Sequence, residues 1–91
     1  VLDFTAGLTH DVFNVSMVFT TVKYILIRYV SGTGSLGFGG GANDIITNSQ
    51  RLFSAGKYAS IYNDYTIDGS TFQLTITGTG KTYDVVIIGS A

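Results

Sequence analysis

The sequence predicts an all-β fold, a single antiparallel β-sandwich of jelly-roll-like build spanning residues 1–91. Three observations lead there. Twelve Gly, no Pro, no Glu and six Asp favour strands and turns over helices. Turn signals recur roughly every eight to twelve residues, the spacing of a sandwich or barrel rather than of βαβ units. Several stretches alternate apolar and polar residues with the period of two that belongs to a half-buried strand.

Taken in order, residues 1–4 read as a short edge strand and residues 6–11 as a loop. In residues 12–19, Phe13, Val15, Met17 and Phe19 fall on one face and Val12, Asn14, Ser16 and Val18 on the other. After a break at Thr20-Thr21, residues 22–30 (VKYILIRYV) form the longest apolar run. Its β-branched and aromatic density favours a central strand over a helix. Tyr24, Leu26, Arg28 and Val30 share one face, and Lys23, Ile25, Ile27 and Tyr29 the other. Residues 31–42 are glycine-rich and predict a turning loop, with Leu36 and Phe38 as a short strand inside it.

Asn43-Asp44 then leads into Ile45-Ile46-Thr47, and Asn48-Ser49-Gln50 turns again. Residues 51–53 and 57–62 read as two strands joined by Ser54-Ala55-Gly56. Asn63-Asp64 predicts a turn before a brief strand at 65–67, and Asp68-Gly69 a tight turn after it. In residues 71–91 the alternation of Phe72, Leu74 and Ile76, the Gly78-Thr79-Gly80 interruption and the run from Thr82 to Ile88 predict a closing hairpin. Because that last run is apolar on both sides, it reads as a strand with neighbours on either hand. The expected core is Phe13, Met17, Tyr24, Leu26, Ile27, Phe72, Leu74, Ile76, Val85 and Ile87.

Composition also bounds function. Hydrophobic residues make up 45% and charged residues 12%, against about 25% charge in an average soluble chain. A small domain with so few charges leaves apolar patches in water unless it assembles with copies of itself or a partner. The net charge is −1 and the five basic residues, Lys23, Arg28, Arg51, Lys57 and Lys81, are scattered, so no basic stripe marks a nucleic-acid partner. No apolar run approaches the roughly 20 residues of a membrane helix. With no cysteine, there is no disulfide, no thiolate metal site and no cysteine nucleophile.

The motifs that invite a chemistry do not carry one. Thr79-Gly80-Lys81-Thr82 matches the end of a phosphate-binding loop, but position 75 is Thr where the first glycine belongs, and a strand pattern comes next instead of a helix. Gly32-Thr33-Gly34-Ser35-Leu36-Gly37 satisfies G-x-G-x-x-G, yet Phe38-Gly39-Gly40-Gly41 cannot open a helix and no acid lies near position 52. His10 is the single histidine and builds neither a His-based metal site nor an evident triad. Asn63, Asp64 and Asp68 offer oxygen ligands at a spacing that fits no EF-hand, and read as turn formers. Asn14-Val15-Ser16 is a formal sequon inside a predicted strand. The six tyrosines, Tyr24, Tyr29, Tyr58, Tyr62, Tyr65 and Tyr83, suit core and subunit contacts better than sugar stacking. No catalytic, cofactor-binding or metal-ligating residue is assigned, and no cofactor is expected.

Three stretches together resemble a known group. They are Thr21-Val22-Lys23-Tyr24-Ile25-Leu26-Ile27, Leu36-Gly37-Phe38-Gly39-Gly40-Gly41-Ala42-Asn43 and Thr82-Tyr83-Asp84-Val85-Val86-Ile87-Ile88-Gly89. In this order they are similar to short virion structural proteins of tailed bacteriophages. The resemblance covers residues 20–91 and departs from the pattern at Ser54-Ala55-Gly56-Lys57, which lacks the proline of the middle turn. It implies a non-enzymatic capsid decoration or cement subunit on the virion. Its partners would be its own copies, a trimer among the options, and a major capsid or other virion protein. The loops at 32–43 and 64–69 are the expected contacts. Two other classes stay open: a pilus-like filament subunit assembled by strand exchange, and a small carbohydrate-binding module.

Overall fold

The structure is a computed structural model that describes residues 2–5, 9–10 and 16–90. Among the described residues ten strands succeed one another: β1 (Leu2–Asp3), β2 (Thr9–His10), β3 (Ser16–Met17), β4 (Thr21–Ser31), β5 (Leu36–Phe38), β6 (Gln50–Leu52), β7 (Tyr58–Thr66), β8 (Gln73–Leu74), β9 (Ile76–Thr77) and β10 (Thr82–Ser90). No helix occurs among the described residues. Pairing is antiparallel throughout the sheets, in the orders β10-β4-β7, β6-β5-β9, β1-β8 and β2-β3.

The all-β reading holds, and β4 is its axis. Strand β4 contains the apolar run at 22–30, and it is paired along nearly its whole length on both sides. Val22, Ile25, Ile27 and Tyr29 point to the inner face and are fully buried. They share one core with Leu36 and Phe38 of β5, Leu52 of β6, Leu74 of β8, and Phe4, Phe19, Ile45 and Ile46 from the connections. The large sheet, the β6-β5-β9 sheet and the β1-β8 pair therefore cover a common apolar layer, a sandwich-like arrangement. Phe4 and Phe19 meet edge to face with centroids 5.9 Å apart, closing one end.

Irregularities in β4 set which residues face inward. Against β10, β4 carries an extra residue at Lys23 and another at Val30; against β4, β7 carries one at Asn63–Asp64. The first bulge puts Val22 and Ile25, three apart, on the same inner face, which strict alternation forbids. Tyr24 and Leu26, expected in the core, lie on the opposite, outer face instead and are half-buried. Of the other expected core residues, Ile27 and Leu74 are fully buried, while Ile76, Val85 and Ile87 pack against the core partly exposed. Phe72 is half-buried outside it. Phe13 and the side chain of Met17 fall outside the described residues.

The closing hairpin does not form. Strand β9 pairs with β5 and β10 with β4, so residues 78–81 carry the chain from one sheet to the other. The turn itself is real: Lys81 N donates to Gly78 O at 2.9 Å, and Gly80 adopts φ 73°. Gly78 is the corner residue, because a Cβ there would lie 2.7 Å from Leu36 Cδ1 and 3.0 Å from the Tyr83 ring. Turn chemistry is local, whereas the pairing partner is decided by which edge the core leaves open. The same holds for β6 and β7, which flank the Ser54-Ala55-Gly56 turn but belong to different sheets.

Two further expectations change. The turn at Asn63-Asp64 is a bulge inside the continuous strand β7, and Thr9–His10, expected in a loop, pairs with Ser16–Met17. The alternating run from Phe72 to Thr77 is also divided. Thr75 N leaves the ladder to donate to Asp44 Oδ2 at 2.7 Å, and Asp44 Oδ1 accepts from Ile46 N at 2.8 Å. Asp44 is 2% exposed, the one buried charged residue of the described core. Each oxygen takes a backbone donor that would otherwise be stranded, so the carboxylate is a structural clasp.

Candidate functional site: the outer face of the large sheet

Residues that pair across β7, β4 and β10 lie side by side on the outer face in three rows. Tyr62, Tyr24 and Ile88 form one; Ser60, Leu26 and Val86 the next; Tyr58, Arg28 and Asp84 the third. At ordinary strand spacing the nine positions span about 10 Å across and about 14 Å along. Their exposure is high for apolar side chains: Tyr62 82%, Tyr58 66%, Ile88 56% and Val86 45%. Among the described residues no element covers this face.

Short-range contacts order it. The Tyr24 and Tyr62 rings are 4.6 Å apart at 49°, and Ser60 Oγ donates to Tyr24 Oη at 3.0 Å. Arg28 Nη2 donates to Asp84 Oδ2 at 2.6 Å, with both side chains 58% exposed. The only two charges in the nine positions thus neutralise each other, leaving a face that is apolar, aromatic and free of net charge.

The remaining candidates hold no constellation. Strand β5 directly continues the glycine-rich G-x-G-x-x-G stretch, and β10 comes straight after Thr79-Gly80-Lys81, so neither presents the helix N-terminus that phosphate binding needs. A shallow hollow of about 200 Å³ is lined by Ile45, Asp64, Tyr65, Thr66, Asp68 and Thr71. Asp68 is committed to its own turn: Oδ1 accepts from Thr71 N at 2.8 Å, Ser70 N at 2.7 Å and Thr71 Oγ1 at 3.2 Å. The Thr71 backbone bond first, then that of Ser70, holds this exposed carboxyl below the usual carboxylate range. Asn63 Oδ1 accepts from Asp64 N within the β7 bulge, so these two residues are not the turn formers expected of them. No group of three or more His, Cys, Asp or Glu capable of holding a metal occurs among the described residues. His10 lies on β2, and Asn14 of the sequon is outside the described residues.

Of the six tyrosines, Tyr29 is in the core, with its hydroxyl donating to Gly34 O at 3.0 Å. Tyr24 and Tyr65 are half-buried, whereas Tyr58, Tyr62 and Tyr83 are exposed. The outer rows are not evident as a site in the sequence. Their signal is the two-sided apolarity of Val85-Val86-Ile87-Ile88, which suggests a strand with a neighbour on each hand. In fact β10 stands at the edge of its sheet, with Val86 and Ile88 in water. Comparison with protein-family models, curated proteins and solved structures finds no match for this chain.

Proposed function

We propose that this chain is a non-enzymatic structural subunit that assembles with copies of itself and a partner shell through its outer sheet face. The observation that carries the reading is the charge-neutral grid of Tyr62, Tyr24, Ile88, Leu26, Val86 and Tyr58, which the described residues leave uncovered. Removing such side chains from water contributes about 25 cal/mol per Å² of apolar area before association costs.

The likeness of residues 20–91 to virion structural proteins of tailed phages extends this reading to a capsid decoration or cement subunit. The partners would be a major capsid or other virion protein and further copies. Size-exclusion chromatography with light scattering tests the core of the proposal. A small closed oligomer, a trimer included, is the expected result, and an open-ended polymer would favour the filament reading. A monomer at every concentration, with no binding to a protein shell, would overturn it. Glycan binding lost on Tyr58→Ala or Tyr62→Ala would replace it with the carbohydrate-binding reading.

A further inference from the structure

The two edges of the large sheet differ, and the difference assigns one of them a partner. We propose that the outer edge of β10, which pairs with no other strand among the described residues, pairs with β10 of a second copy, antiparallel and about a two-fold axis, joining two three-stranded sheets into one of six strands. The inference rests on the assembling-subunit reading above and specifies the contact that begins assembly.

Exposed strand edges are ready templates for pairing, and proteins that stay apart guard them with bulges, lysines, prolines or short length. Strand β7, the other edge, is guarded: it is bulged at Asn63–Asp64, and both of those residues are exposed and polar. Strand β10 has none of these devices. It runs nine residues, holds no Lys or Pro, and the register shifts beside it come from extra residues in β4. Its one charge, Asp84, is already bound to Arg28 of its own sheet. It thus has the sequence of an interior strand in an edge position.

Symmetry then fixes the faces. In antiparallel pairing about a two-fold, a residue always meets one of the same parity, so the two outer faces continue into each other. The register that overlaps all nine residues centres on Val86. It sets Asp84 against Ile88 of the partner subunit, so that like charges do not meet across the axis. Val86 sits beside the partner's Val86, and the apolar grid doubles in width. A second copy satisfies every one of these conditions with no further chemistry.

The chain has no cysteine, so single introduced thiols report geometry cleanly. Opposite residues have Cα atoms about 4.5–5.5 Å apart, within the roughly 4.4–6.8 Å that a disulfide spans. Val86→Cys is therefore expected to give a covalent dimer under mild oxidation. Ile88→Cys, about 14 Å from its copy in this register, and Tyr62→Cys, on the guarded edge, are expected to remain uncrosslinked. Hydrogen exchange on the unaltered protein gives a second measurement: amides of β10 gain protection as concentration rises and those of β7 do not. Associated protein in which Ile88→Cys or Tyr62→Cys crosslinks instead, with no added protection in β10, would overturn the pairing while leaving assembly through the outer face intact. Protein that stays monomeric, with no crosslink at any of the three sites, would overturn both.

Discussion

The inner and outer faces of the β10-β4-β7 sheet are made of similar side chains in opposite surroundings. Inside, Val22, Ile25, Ile27 and Tyr29 are fully buried against the smaller sheets. Outside, Tyr24, Leu26, Val86 and Ile88 present comparable apolar volume to water. Within β4 the two sets interleave, and nothing in the residue types says which is covered by the chain's own fold. Hydrophobicity marks what should be buried; it does not say by whom.

The sharpest way to test the contrast is one change made on both faces. Ile27→Ala should destabilise the fold by about 2–5 kcal/mol, through lost burial and the cavity left behind. Ile88→Ala should cost under about 1 kcal/mol in the dissociated protein. Urea unfolding at low concentration measures both, and equal losses would erase the distinction between the faces. Asp44→Ala comes next, at about 1–3 kcal/mol, because Ile46 N and Thr75 N lose their acceptor in a buried place. The same unfolding curves would show it, and a neutral result would mean that water replaces the clasp.

Smaller effects sharpen the outer face. Tyr62→Ser removes one ring of the Tyr24 contact and should cost folding about 0.5–1 kcal/mol, while the mass measured by light scattering falls toward the monomer. Arg28→Ala should shift stability by about 0.2–1 kcal/mol, a difference that fades in high salt because the pair is exposed. An undiminished effect in salt would show that the pair is shielded.

The last expected effect is one of pH. Asp68 has a folded pKa below its unfolded value. Its contribution is therefore present above the unfolded carboxylate value and is lost as pH falls through the folded one. Asp68→Asn should flatten the acid limb of the stability profile slightly, lowering stability a little at neutral pH and leaving it nearly unchanged below the folded pKa.

The same contrast separates what residue types reveal from what they hide. Local signals are legible: residues 22–30 as the central strand, Leu36 and Phe38 as a short strand, and Gly80 and Asp68 as turn residues. Interactions between distant segments are not. Gly78 to Lys81 looks like a hairpin from its residues alone, yet whether β10 pairs with β9 or β4 depends on contacts far along the chain. The bulge at Lys23 has no residue signature, and it decides that Val22 joins Ile25 inside. As for the outer face, Tyr58 and Tyr62 suit subunit contacts by residue type, but their alignment with Ile88 and Val86 requires the register.

Strand order has a consequence for how the molecule is made. Strand β4 contains the longest apolar run of the chain, and the strands on either side of it, β7 and β10, begin only at Tyr58 and Thr82. During synthesis, β4 therefore emerges well before either of the strands that pair with its edges. Such a segment is sticky toward identical segments of neighbouring chains. Yield on refolding should therefore fall steeply with protein concentration, and a short peptide copying residues 22–30 should trap the chain before it closes.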